Sequence, residues 1–165
     1  MTKELTQRVS NVKTTVVFNK SGDERYLLKM EWDNTKKSAV IIMTFPSSAD
    51  ELILDQTTML CRNGAIKNGF GSISIINLTS SIMGDNPKTS KQNSEIIINE
   101  CELVDCILVC FGRGTGFQDE KTAVLKKLVP YKEKLYTIVD TKGLPYSHPL
   151  SPLARDFRIK PLVIE

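Results

Sequence analysis

AVIIMTF, residues 39–45, is an almost unbroken apolar run. A strand with one face in water alternates apolar and polar residues, whereas a strand covered on both faces need not. The stretch therefore predicts a strand buried inside a layered α/β domain. A polar loop, PSSAD (46–50), follows it at once. Three further segments repeat this order. SISIINL (72–78) leads into TSS (79–81), CILVCF (106–111) into GRGTG (112–116), and LYTIVD (135–140) into a loop containing GLPYSHPL (143–150).

Helical signals separate these strands. Asp55 is placed to cap a helix that runs to about Lys67 and stops at Asn68-Gly69. Ser94 is the expected cap of SEIIINECELV, and QDEKTAVLKKLV (118–129) carries acids in its first turn and lysines in its last, as the helix dipole favours. The alternation predicts an α/β fold: a central, mostly parallel sheet of about four strands with helices on both faces. TTVVF (14–18) and RYLLKMEW (25–32), joined by the turn-like NKSGDE, predict an additional N-terminal antiparallel hairpin. Residues 1–12 are expected to be poorly ordered and the polar 79–93 stretch to be an exposed loop.

At 165 residues the chain is expected to form a single domain over 1–165. The net charge of +3 is too small to argue for or against nucleic-acid binding. No apolar run reaches membrane-spanning length, so no membrane partner is expected. The polar start, MTKELTQRVSN, contains no secretory signal, which predicts a cytoplasmic location. Cys61, Cys101, Cys106 and Cys110 lack zinc-ligand spacing. Cys106 and Cys110 would face one side of a strand about 13 Å apart, too far for a disulfide. All four read as buried, reduced thiols.

In an open α/β sheet, ligands bind beyond the carboxyl ends of the strands. If the four apolar strands are parallel, their loops meet at one edge. That brings the single histidine, His148, near Asp50, Asn77 and the glycine-rich turn with Gly112 and Gly114. Pro145, Pro149 and Pro152 stiffen the segment around His148. Asn77 either satisfies local backbone or reads a ligand's hydrogen-bonding edge. Ser47, Ser48 and Asp50 either cap a turn or face the ligand. GRGTG either forms a plain turn or cradles an anion. Arg25, Tyr26 and Trp32 read as packing residues.

RYLLKMEW (25–32), MTFPSSADELILDQTT (43–58), NGFGSISIINLTSS (68–81), CFGRG (110–114) and GLPYSHPL (143–150) together resemble a bacterial and phage family, domain of unknown function 1643. That name implies no activity. The family commonly has Asn before Pro-Ser, where this chain has Phe45. Pro46 with the nearby Asp50, Asn77, and His148-Pro149-Leu150-Ser151-Pro152-Leu153 more distantly resemble the loops of the uracil-DNA glycosylase superfamily.

That second resemblance implies cleavage of an N-glycosidic bond, which needs a water-orienting acid on one side and a hydrogen-bond donor to the departing base on the other. It implies Asp50 or Asp55 for the water, His148 as electrophile, Asn77 for base reading and Phe45 for stacking. Pro46, Ser47, Gly112, Gly114 and Pro149 would complete the ligand site. The expected partner is a nucleobase, a nucleotide, or single-stranded or damaged nucleic acid; no cofactor or metal is implied. The alternatives are a non-catalytic nucleotide-binding module and a protein-interaction module that uses the 79–93 loop. The oligomeric state is left open.

Overall fold

The computed structural model describes residues 3–82 and 89–164. Seven strands form one sheet: β1 (Lys13–Phe18), β2 (Arg25–Glu31), β3 (Ser38–Met43), β4 (Ser72–Asn77), β5 (Cys106–Val109), β6 (Leu135–Val139) and β7 (Arg158–Pro161). Their spatial order is β1-β2-β4-β3-β5-β6-β7. β3 pairs in parallel with both β4 and β5, and β5 with β6. β1–β2, β2–β4 and β6–β7 are antiparallel.

This corrects the expected architecture of a mostly parallel sheet of about four strands with an additional N-terminal antiparallel hairpin. The sheet is mixed, larger, and antiparallel towards both edges. The hairpin belongs to it because β2 has a second partner, β4, in the register Leu28↔Ile75 to Glu31↔Ser72. That pairing puts Leu28 and Met30, both fully buried, into the main core. RIKP (158–161) escaped notice because its four residues are largely exposed, so backbone pairing to β6, not an apolar run, makes it a strand.

The apolar run at 39–43 is explained by its two neighbours. Ala39, Ile41 and Met43 face one core beneath helix α1 (Gln56–Lys67), with Cys61 and Ala65 opposite them. Val40 and Ile42 face the other, covered by Ile97 and Cys101 of helix α2 (Lys91–Leu103) and Val124 and Leu128 of helix α3 (Gln118–Leu128). Cys61, Cys101, Cys106 and Cys110 are buried and free, and burial pushes the Cys101, Cys106 and Cys110 thiols up to about 12.

α2 begins a turn earlier than expected. Ser90, not Ser94, is its cap and accepts from Asn93 N–H at 3.0 Å. The buried Asn93 explains the choice: its Nδ2 donates to the carbonyls of Asn77 and Leu78, which ties the first turn to the end of β4. The 79–93 stretch is likewise not one exposed loop. Thr79 and Ser80 are buried, 91–93 lie in α2, and 83–88 fall outside the described residues. Residues 3–12 are exposed and carry no regular secondary structure. No described helix is long and apolar enough to cross a membrane.

Candidate functional site

The loop after β3 is built around a buried cation. Arg25, 1% exposed at the start of β2, donates to Ala49 O at 2.9 Å, Ser47 O at 3.1 Å, Ser47 Oγ at 3.3 Å and Asn77 Oδ1 at 3.4 Å. Asn77 completes the clamp, donating from Nδ2 to Phe45 O at 2.6 Å. Its amide therefore serves local backbone, one of the two roles the sequence left open. Pro46 is buried and Phe45, at 52% exposure, is the residue this loop offers to solvent.

Both candidate acids take structural hydrogen bonds. Asp50 Oδ1 accepts from Leu52 N–H at 2.8 Å and Ile53 N–H at 2.6 Å, and these bonds hold its carboxyl below the ordinary range. Asp55 caps α1, accepting from Thr58 N–H at 2.8 Å. Burial opposes its charge, but the Thr58 and Ser47 hydrogen bonds and the Arg25 charge keep its carboxyl below the usual value as well. Asp55 is the acid whose charge reaches His148.

The histidine corner is held by a second buried ion. Asp140, whose side chain is wholly buried, accepts from Arg113 at 2.7 Å and from the N–H groups of Lys142 and Leu144 at 2.8 and 2.9 Å. Arg113 thus fastens the glycine-rich turn to the corner. Gly112 N–H donates to Tyr146 O at 2.8 Å, and the Phe111 and Tyr146 rings stack 6.1 Å apart. Gly112 takes φ +76°, a left-handed conformation that glycine adopts without strain. At the tip, Leu150 N–H donates to His148 Nδ1 at 3.1 Å. That bond makes Nδ1 an acceptor and puts the imidazole proton on Nε2. Burial lowers the His148 pKa, with the Asp55 charge opposing, so the ring is a neutral donor.

These elements meet in a cavity of about 210 Å³ lined by Thr44, Phe45, Phe111, Gly114, Gly116, Phe117, Lys121 and His148. Phe45 and Phe117 pack edge to face with centroids 5.1 Å apart. Phe117 has φ +60°, in the left-handed region, at the residue preceding α3. Of the residues expected at the site, Phe45, Gly114 and His148 line this cavity. Gly112 lines an adjoining cavity of about 260 Å³ on the far side of the same turn. Asp50, Asp55, Pro46, Ser47, Asn77 and Pro149 do not line either; they shape the loops behind them. Thr44, Phe111, Gly116, Phe117 and Lys121 are additions. The two Phe residues were visible in CFGRGTGF, where the glycines drew attention away from the flanking rings.

Other depressions lie away from this edge. One of about 280 Å³, lined by Lys37, Asn68, Phe70, Asp105 and Tyr136, sits at the opposite end of the parallel strands. One of about 490 Å³ lies between α2 and α3. Neither contains a histidine. Among the described residues no three His, Cys, Asp or Glu side chains gather as a metal site requires.

The geometry describes a small α/β protein with an aromatic pocket at the carboxyl end of its parallel strands. Residues 25–150 match the family model described as Protein of unknown function (DUF1643), and the chain belongs to that family. Comparison with curated proteins and with solved structures gives no match.

Proposed function

We propose that the pocket binds a nucleobase, free or as part of a nucleotide, without cleaving its glycosidic bond. The observation that carries this reading is the combination of Phe45 and Phe117 rings with a neutral His148 whose free proton is on Nε2. A planar heterocycle stacks on such rings, and its exocyclic oxygen accepts from an uncharged imidazole N–H. The likeness of the 148–153 loop to the uracil-DNA glycosylase superfamily points to the same class of ligand. Hydrolysis asks for more: a carboxylate facing the sugar. Asp50 is occupied by backbone N–H groups and Asp55 by the α1 cap, and neither lines the pocket, so the reading stops at binding.

Titration calorimetry with the uracil, cytosine, adenine and guanine nucleosides tests it. Saturable binding of at least one is expected, weakened roughly fivefold or more in Phe45→Ala through lost stacking and unchanged in Asp50→Asn. No binding by any nucleoside overturns the reading. A uracil-containing oligonucleotide should also survive incubation with the protein followed by hot alkali. Strand scission there would restore the glycosylase alternative.

A further inference from the structure

The cavity on the far side of the glycine-rich turn has no role in base recognition, yet it shares Phe111, Gly114 and Lys121 with the base pocket. Lys121 stands between the two. It is 8% exposed, and its Nζ donates to Gly114 O at 2.7 Å. An ammonium has three donors, so two remain for other acceptors. Among the described residues no carboxylate lies within 4 Å of it. Arg113, the other cation of this cavity, is already paired with the buried Asp140. Lys121 is therefore the uncompensated charge. A cation with free donors and no carboxylate partner attracts an anion, and one entering this cavity would meet it with charge-assisted hydrogen bonds. α3 begins at the same place without a side-chain cap; Gln118 and Thr122 line the cavity, while the acids of the first turn, Asp119 and Glu120, do not.

We infer that Lys121 and the 112–116 turn form a phosphate subsite, and that the preferred ligand is a nucleoside phosphate rather than a free base or nucleoside. This rests on the base-binding reading for one half of the ligand and on Lys121 alone for the other. Base and phosphate would lie on opposite sides of one turn, with Phe111 and Gly114 beneath the sugar.

Calorimetry with matched pairs, uridine against UMP and adenosine against AMP, and with inorganic pyrophosphate alone, separates the two halves. For the base class that binds, the monophosphate should be tighter than its nucleoside by about tenfold or more, the worth of a charge-assisted hydrogen bond. Lys121→Met should erase that preference, so that within the variant the monophosphate binds no more tightly than its nucleoside. Thr122→Glu, an exposed change on the rim of the same cavity, guards against a folding defect in the lysine variant and should weaken the monophosphate only. Equal affinity for nucleoside and monophosphate overturns the subsite and leaves base binding intact. Lys121-dependent pyrophosphate binding without any nucleoside binding supports the subsite and removes the base reading. Binding of neither removes both.

Discussion

Replacing Arg25 by methionine removes the clamp that shapes the loop after β3. Two of its acceptors, Ala49 O and Ser47 O, sit at 2.9 and 3.1 Å, while Ser47 Oγ and Asn77 Oδ1 are longer at 3.3 and 3.4 Å. A hydrogen bond from a charged donor contributes roughly 1.5–3 kcal/mol, so the two short ones set a loss of about 3–6 kcal/mol. Methionine recovers part of this. It no longer requires a guanidinium to be buried with its Nε lacking a partner, a burial that already lowers the Arg25 pKa against the opposing Asp55 charge. A net loss near the lower bound, about 3 kcal/mol, is expected. At roughly 2–4 °C per kcal/mol for a chain of this size, Tm should fall by about 6–12 °C. Calorimetric melting measures the loss, and amide exchange locates it: protection should fall between Phe45 and Asp55 before the rest of the sheet. A loss below about 1 kcal/mol, or one spread evenly over the sheet, would refute the clamp.

Two further outcomes follow from packing and charge. An added Cβ at Gly64 would stand 2.2 Å from the Phe157 ring, so Gly64→Ala should cost about 1–3 kcal/mol in chemical denaturation; an unchanged midpoint would mean that α1 and the 157 turn are not in contact. Burial lowers the His148 pKa in the folded chain, with Asp55 opposing. The unfolded chain then binds the proton more readily, so this contribution to stability is complete above about pH 6.5 and is lost as pH falls through the folded pKa. Comparing urea melts at about pH 7.5 and about pH 5.5 should show that loss in the native protein and less of it in His148→Asn, which keeps an acceptor for Leu150 N–H. Equal pH dependence in the two would assign it elsewhere.

The strands that face two cores were legible in the sequence: Ala39–Met43 must satisfy a helix on each side and is apolar throughout, and Ser72–Asn77 sends Ile73 and Ile75 into one core and Ile76 into the other. The edges were not. β7 owes its existence to hydrogen bonds with β6, which leave no mark on the side chains of a largely exposed RIKP. The place of β2 beside β4 was hidden for a related reason, since alternation in RYLLKME is equally compatible with a free hairpin and an inner strand. At the candidate site, the convergence of loops after parallel strands led to the edge where the aromatic pocket with His148 lies. Chemical type did not reveal which of the other side chains serve the backbone. Asp50 and Asn77 have side chains able to act on a ligand, but nearby backbone groups claim them: the exposed N–H groups of Leu52 and Ile53 for Asp50, and the Phe45 carbonyl for Asn77. Arg25 read as packing, and only its four acceptors show that it holds the loop that presents Phe45.

His148 is the one histidine of the chain, so a nitrogen-edited NMR spectrum of the imidazole region reports on the pocket directly. At neutral pH the ring should be uncharged with its proton on Nε2, should titrate below the ordinary value of about 6.5, and should shift when the bound nucleoside is added. A ring protonated on Nδ1, titrating at or above about 6.5 and indifferent to every nucleoside, would contradict the proposed site.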